Sequence, residues 1–152
     1  MASNVRQFPG VKPIPDGYHT VTPYLTISGA AQTIEFLKRA FGAKEIYKMA
    51  GPDGTVRHAE VQIGDSMVML GEASAEFKPM PSQFYLYVED VDTAYQKALQ
   101  AGATSIREPH DEFYGDRSGG VRDAAGNMWW VATHIEDVPP GELEKRAAAQ
   151  KR

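Results

Sequence analysis

The sequence contains an internal repeat with a spacing of about 60 residues. Residues 24–27 (Tyr-Leu-Thr-Ile) recur as residues 85–88 (Tyr-Leu-Tyr-Val), and each copy continues into an apolar periodic stretch that ends at Gly-Ala, residues 42–43 and 102–103. A unit of strand, helix and hairpin strands has apolar faces to bury, and two related units can bury them around a shared cavity. The repeat therefore predicts a duplicated α+β domain enclosing a cavity.

Composition narrows the class of protein. A chain of 152 residues with 42% hydrophobic content is long enough for one well-buried core and fits a single domain. The net charge of -4, without any block of basic residues, argues against a nucleic-acid partner. The absence of cysteine excludes disulfides, zinc ribbons and thiol nucleophiles.

The sequence also gives no sign of a membrane segment. Residues 1–18 lack the apolar core of a signal peptide, and no apolar run approaches the ~20 residues of a membrane span. We therefore expect no membrane partner and a cytoplasmic location.

The distribution of turn residues and periodic stretches predicts the organisation of the chain. We expect an N-terminal arm, a single domain made of two modules and the linker between them, and a partly helical C-terminal tail. These are, in order, residues 1–20, 21–135 (modules 21–70 and 83–135, linker 71–82) and 136–152.

Each module is predicted to run strand, helix, then hairpin strands. Ser28 is a candidate cap for the first helix and Asp90 for the second, and Gly42 and Gly102 are candidate stops. The predicted strands are 21–27, 43–48, 56–63, 67–70, 83–88, 105–107, 121–123 and 128–133, and the predicted helices end near 41, 101 and 150. Residues 108–120 are expected to form a long irregular loop with a functional role.

Alternation along the strands divides their side chains into two faces. One set packs on the helices, and the other is left to line a pocket of aromatic, thioether and sparse polar groups, as is usual for a small-molecule site. The candidate ligand-binding residues on the second face are Thr22, Tyr24, His58, Glu60, Met69, Gln83, Tyr85 and Trp130. Because Trp129 and Trp130 are adjacent, we expect Trp129 in the core and Trp130 as a stacking wall.

Two constellations leave alternatives open. His58 and Glu60 lie on one strand face and are either a hydrogen-bonded polar pair, a ligand-recognition pair or, in an enzyme, an acid–base pair. Tyr114, Asp116 and Arg117 lie in the predicted loop. Either Arg117 clamps an anion while Tyr114 stacks on a planar ligand, or Asp116 and Arg117 brace the loop against the sheet. His110 and His134 are expected to be ordinary surface histidines.

Several short motifs in a fixed order resemble the vicinal oxygen chelate superfamily, which includes glyoxalase I, bleomycin-resistance proteins and extradiol dioxygenases. They are residues 22–25 (TPYL), 40–43 (AFGA), 58–60 (HAE), 63–66 (IGDS), 87–92 (YVEDVD), 114–117 (YGDR) and 132–138 (ATHIEDV). Within it the chain looks most like the demethylubiquinone-methyltransferase-like proteins. The resemblance implies two βαβββ modules whose curved mixed sheets surround a cavity, in a homodimer.

The resemblance also implies where a metal would bind. The family's four ligand positions fall at Thr22, Met69, Gln83 and Trp130, which are poor ligands for the metals its enzymes use. We therefore expect no metal and no cofactor, and a protein that binds a planar or amphipathic small molecule. The alternative is a lyase, isomerase or dioxygenase with an unconventional metal site or a metal-free acid–base site.

Overall fold

The structure is a computed structural model that describes residues 8–150. The first seven residues of the predicted arm and the last two of the predicted tail lie outside the described residues. The elements in chain order are β1 (Tyr24–Ile27), α1 (Ala30–Phe41), β2 (Lys44–Ala50), β3 (Val56–Ile63), β4 (Ser66–Glu72), β5 (Gln83–Tyr87), α2 (Val91–Gln100), β6 (Thr104–Asp111), β7 (Asp116–Arg122), β8 (Met128–His134) and α3 (Pro140–Ala149).

The strands form two four-stranded mixed sheets, ordered β1-β4-β3-β2 and β5-β8-β7-β6. In each sheet the first strand pairs in parallel with the last, and the other pairs are antiparallel. Neither sheet closes into a barrel. The predicted α+β fold of two βαβββ modules is confirmed, and we call β1–β4 the first module and β5–β8 the second module.

Helix α1 begins differently from the prediction. Gly29, in the left-handed region at φ 87°, occupies the N-cap instead of Ser28. A glycine has no side chain to cap the helix, and the carboxylate of Glu72 at the end of β4 accepts hydrogen bonds from the backbone N–H groups of Gly29 and Ala30. The predicted stop at Gly42 is correct, with φ 65° and backbone bonds to the last turn.

Helix α2 begins as predicted, with the Asp90 side chain accepting a hydrogen bond from the N–H of Thr93. The first N–H of the helix, that of Val91, bonds to the hydroxyl of Thr133 at the end of β8. Thus in both modules a side chain at the end of the last strand holds the start of the helix, which fixes each helix on its own sheet.

The two modules share one hydrophobic core. Helix α1 contacts α2, and each helix packs on the sheet of its own module. Trp129 is fully buried, where its ring stacks on Phe84 at 4.5 Å and contacts Phe41 of the first module at 5.7 Å. The carboxylate of buried Asp123 accepts the indole N–H of Trp129 at 2.9 Å, so this polar atom is satisfied in the core.

The prediction of a long irregular loop over residues 108–120 is wrong. Strand β6 continues to Asp111 and β7 begins at Asp116, so the connection is residues 112–115. Pro109 lies within a register shift of the β6–β7 pair, where a missing backbone N–H is tolerated. Proline and glycine in this stretch obscured a hairpin that only pairing with the neighbouring strand defines.

The C-terminal helix α3 has no buried residue and is held by polar contacts. Arg146 bonds both carboxylate oxygens of Glu136, at 2.9 and 2.7 Å, and donates to the backbone carbonyl of Phe113 at 3.2 Å. The helix is thereby fastened to the 112–115 connection. Within the described residues, none of the helices is long and apolar enough to cross a membrane.

Candidate functional site

Trp130 and Tyr85 form a wall on the face of the second sheet that is turned away from α2. They are register partners on β8 and β5. The indole N–H of Trp130 donates to Oε1 of Gln83 at 2.7 Å, which fixes the plane of the ring. A Cβ on Gly120 of β7 would come within 2.4 Å of the ring, so one side of the indole lies directly against the backbone of this glycine.

The wall borders a recess of about 440 Å³. Its lining combines aromatic rings with a few polar and charged groups: Gln83, Phe84, Tyr85, Arg107, Glu112, Tyr114, Ser118 and Trp130. We call Tyr85, Tyr114 and Trp130 the aromatic wall. The Tyr85 side chain is 43% exposed, so a stacking surface is open to a ligand.

Asp116 organises the hydroxyl groups beside the wall. Its buried carboxylate accepts hydrogen bonds from the hydroxyls of Tyr85 and Tyr87, at 2.8 and 3.0 Å, and from Nδ1 of His134 at 2.8 Å. The other nitrogen of His134 bonds to Asp137 at 2.7 Å. The order Tyr–Asp–His–Asp gives every member a partner, which holds the two tyrosines in fixed orientations.

These contacts shift the pKa values of the members. Burial works to raise the pKa of Asp116, but the hydrogen bonds from His134, Tyr85 and Tyr87 outweigh burial and lower it. Partial burial and the neighbouring Tyr114 and Asp116 side chains raise the pKa of Tyr85 far above its ordinary value, so its hydroxyl stays neutral. The bonds to Asp116 and Asp137 raise the pKa of His134.

The predicted residues of the first module lie together in a second group. Tyr24 is the register partner of Met69, which in turn is the partner of Glu60. The Tyr24 hydroxyl shares a 3.2 Å hydrogen bond with Nδ1 of His58, and Nε2 of His58 lies 3.5 Å from a carboxylate oxygen of Glu60. His58 therefore has a hydrogen-bonded hydroxyl at Nδ1 and a nearby carboxylate at Nε2.

A larger groove of about 780 Å³ adjoins the recess at Tyr85. It is lined by the segment before β1, including Thr22, by the β3–β4 turn, and by both faces of β5. The hydroxyl of Thr22 bonds to the backbone carbonyl of His19. Thr22 thus lines the groove, and it is not among the residues that line the recess.

Arg117 lies on the opposite face of β7 from Asp116. Its guanidinium bonds Asp92 at the start of α2 through two 2.9 Å hydrogen bonds and Asp111 through one of 3.1 Å. The structure thus does not bring Arg117 together with the other predicted site residues, and its bonds brace the hairpin against α2. Tyr114, its neighbour in the sequence motif, does line the recess.

The four positions that the family uses for a metal do not suit one here. Trp130 offers no acceptor, and Oε1 of Gln83 already accepts its indole N–H. Met69 is a soft thioether, and Thr22 lies apart with its own backbone partner. Over residues 8–150, no three His, Cys, Asp or Glu side chains are grouped closely enough to hold a metal ion.

Comparison with known proteins identifies the family. Residues 18–131 match the family model described as the glyoxalase/bleomycin resistance protein/dioxygenase superfamily. The chain belongs to this superfamily. The Mycobacterium tuberculosis protein Rv0887c, described as uncharacterized, is 33% identical over 141 residues, covering 86% of this chain and 83% of that protein.

Two solved structures from other bacteria share the fold. TioX from Micromonospora sp. ML1 superposes with a TM-score of 0.66 at 25% identity, covering 77% of this chain and 99% of TioX. TnmS3, an antibiotic binding protein from Streptomyces sp. CB03234, superposes with a TM-score of 0.62 at 18% identity, covering 76% and 95%. At that identity the likeness to TnmS3 concerns the fold alone.

Sequence reasoning did not place six residues of the recess and its border in the site: Phe84, Arg107, Glu112, Asp116, Ser118 and His134. Arg107 and Glu112 were hidden by the misread β6–β7 hairpin, and their relation to Trp130 depends on strand pairing. Asp116 and His134 are register partners on β7 and β8. The repeat offered no signal for this pair.

Proposed function

We propose that this protein binds a planar or amphipathic small molecule, which stacks on the aromatic wall of the second module. The observation that carries the proposal is the wall itself: partly exposed rings whose orientations are fixed by Gln83 and Asp116, at the edge of a recess. Rings held in place before binding lose little conformational freedom when a ligand arrives, which favours affinity. TnmS3, the antibiotic binding protein that shares this fold, is consistent with this class of ligand.

The ligand residues we propose are Gln83, Tyr85, Tyr114 and Trp130 in the recess, with Thr22 bordering the adjoining groove. The first-module group of Tyr24, His58, Glu60 and Met69 offers a second, more polar surface. We also propose that the chain belongs to the demethylubiquinone-methyltransferase-like subgroup, on the motifs from Thr22 to Val138 that resemble it.

The stacking proposal is tested with Trp130→Phe. A planar ligand that stacks on Trp130 quenches its fluorescence, and the substitution is expected to weaken binding by about 1 kcal/mol, the value of one aromatic pair beyond area burial. Titration calorimetry and fluorescence on wild type and variant measure both effects. If Trp130→Phe binds the ligand with unchanged affinity, the aromatic wall is not the ligand-binding site.

We propose that two copies associate as a homodimer in which the first-module face of one chain completes the site of the other. Large apolar side chains are exposed on both sheets, among them Tyr24, Tyr47, Met49 and Tyr87. Such clusters on a monomer often mark interfaces. Sedimentation at micromolar concentration is expected to show a dimer, and a monomer at every concentration would contradict this.

A second candidate is an enzyme that uses metal-free acid–base chemistry at His58. The observation that favours it is the arrangement of Tyr24, His58 and Glu60, in which one imidazole has a hydroxyl hydrogen-bonded to Nδ1 and a carboxylate oxygen 3.5 Å from Nε2. The binding protein and the enzyme are distinguished by incubating the protein with a bound ligand for a long time and measuring the mass of the ligand afterwards. A binding protein returns the ligand unchanged, whereas an enzyme converts it and loses that conversion in His58→Ala.

A further inference from the structure

Arg107 presents unused hydrogen-bond donors to the recess. Its side chain is 57% exposed, and its guanidinium carbon lies 5.9 Å from the centre of the Trp130 ring. The nearest carboxylate oxygen, Oε1 of Glu112, is 3.6 Å from Nη1, which is too long for a hydrogen bond. By contrast, the guanidinium of Arg117 makes three hydrogen bonds to carboxylates and that of Arg146 also bonds several partners.

Glu112 forms an ion pair with Arg107 across 3.6 Å but does not occupy any of its hydrogen-bond donors. Its Oε1 accepts a hydrogen bond from the hydroxyl of Ser118 at 3.3 Å and lies 2.9 Å from Nε2 of His110, so the oxygen nearest to Arg107 already has other partners. Its side chain is largely buried, whereas that of Arg107 is exposed. A ligand entering the recess therefore meets the guanidinium before the carboxylate.

The packing of Trp130 decides the direction from which a ligand can stack. The backbone of Gly120 closes one side of the indole, because even a Cβ atom added to Gly120 would collide with the ring. Arg107 lies over the ring, so a planar ligand that reaches the open side meets the guanidinium. Any ring that stacks on this side takes the place of the existing cation–π contact, and a cationic ligand there would in addition be repelled by Arg107.

We infer that the ligand of the recess is a planar aromatic acid, whose carboxylate pairs with the guanidinium of Arg107 while its ring stacks on Trp130. The planar fork of arginine donors matches a carboxylate in two parallel hydrogen bonds. Tyr85 and Tyr114 then provide further apolar contact at the ring edge. The inference rests on the proposed binding function and adds the charge and chemical class of the ligand.

Three probes of matched shape test the charge: 2-naphthoate, 2-naphthylmethylammonium and the neutral 2-naphthylmethanol. Ligand-observed NMR titrations of the full chain give a dissociation constant for each. We expect 2-naphthoate to bind about tenfold more tightly than either other probe, the scale of a charge-assisted hydrogen bond. Arg107→Gln is expected to remove that preference.

Arg122→Gln is the matched control. It removes the same charge from the neighbouring strand β7, where the only hydrogen bond of the Arg122 guanidinium among the described residues goes to Sδ of Met128. We expect it to change the dissociation constant of 2-naphthoate by less than about twofold, because Arg122 does not line the recess and has no donor positioned to pair with a carboxylate bound there. Equal losses in the two variants would mean that general surface charge, not Arg107, attracts the acid.

The remaining outcomes separate this inference from the proposed function. If all three probes bind equally and Trp130→Phe weakens each of them, the wall binds planar ligands but the preference for an acid is wrong. Tighter binding of the ammonium probe also overturns the inference. If none of the probes binds, the inference and the proposed function both fail.

Discussion

The two modules have the same strand order but differ in how their first strands are buried. In the first module, Leu25 and Ile27 of β1 are 1% and 2% exposed, whereas the corresponding residues of the second module, Leu86 in β5 and Val88 just after it, are only partly buried and border the large groove. On the other face, Met69 is replaced by Trp130 at the equivalent register position, and Glu60 by Gly120. The apolar side chains of the first strand are thus fully buried in the core of the first module. In the second module the equivalent side chains stay partly exposed and can contact a ligand.

The difference in burial predicts the largest effect. Leu25→Ala is expected to lower the free energy of unfolding by about 2–5 kcal/mol, because it leaves a cavity in a fully packed site. Leu86→Ala is expected to cost less than about 2 kcal/mol, because the side chain is already partly in water. Urea unfolding of both variants measures the difference. Equal losses would show that another surface covers β5 in solution.

Trp129→Phe tests the assignment of the two tryptophans. It removes ring contacts with Phe41 and Phe84 and leaves Asp123 without one donor, and we expect a loss of about 1–3 kcal/mol in stability with ligand affinity nearly unchanged. Trp130→Phe is the control at the adjacent residue: it is expected to weaken ligand binding and to leave the stability nearly unchanged. A reversed pattern would place the β8 register off by one residue.

Gly120→Ala tests the difference between the modules at the position where the first module has Glu60. A methyl group would meet the indole of Trp130, so the ring must move, and we expect a cost of about 1–3 kcal/mol in stability with a shifted tryptophan emission. Ligand affinity should fall as well. Gly141→Ala, where nothing lies near the added methyl, is the control and should leave emission and affinity unchanged. An unchanged spectrum in Gly120→Ala would contradict the close packing of ring and backbone.

The smallest effect concerns pH and has no counterpart in the first module. The raised pKa of His134, caused by Asp116 and then Asp137, means that its bonds contribute fully to stability below its unfolded pKa of about 6.5. That contribution is lost as the pH rises through the folded pKa. We therefore expect the stability advantage of wild type over His134→Gln to shrink as the pH increases above about 6.5. Unfolding curves across this range measure it, and a growing advantage would contradict the network.

Local signals in the sequence account for most of the fold. The repeat, the helical spacing of apolar residues and the stop at Gly42 predicted the two modules and their helices, and alternation predicted the opposite faces of Trp129 and Trp130. These patterns are readable because burial on one face imposes a period of 2 or 3.6 on the residues themselves. The acidic cap at Asp90 is a local interaction of the same kind.

The tertiary structure decided the rest, because those features depend on residues far apart in the chain. Glu72 caps α1 from the end of β4, a contact that no local pattern marks. The hairpin of β6 and β7 is defined by pairing across a register shift at Pro109, and it alone brings Arg107 over Trp130. The sequence by itself determined which side chains share a face, since alternation is a property of the strand. Which of those side chains bond one another, as Asp116 does with Tyr85, Tyr87 and His134, was set by strand order and register.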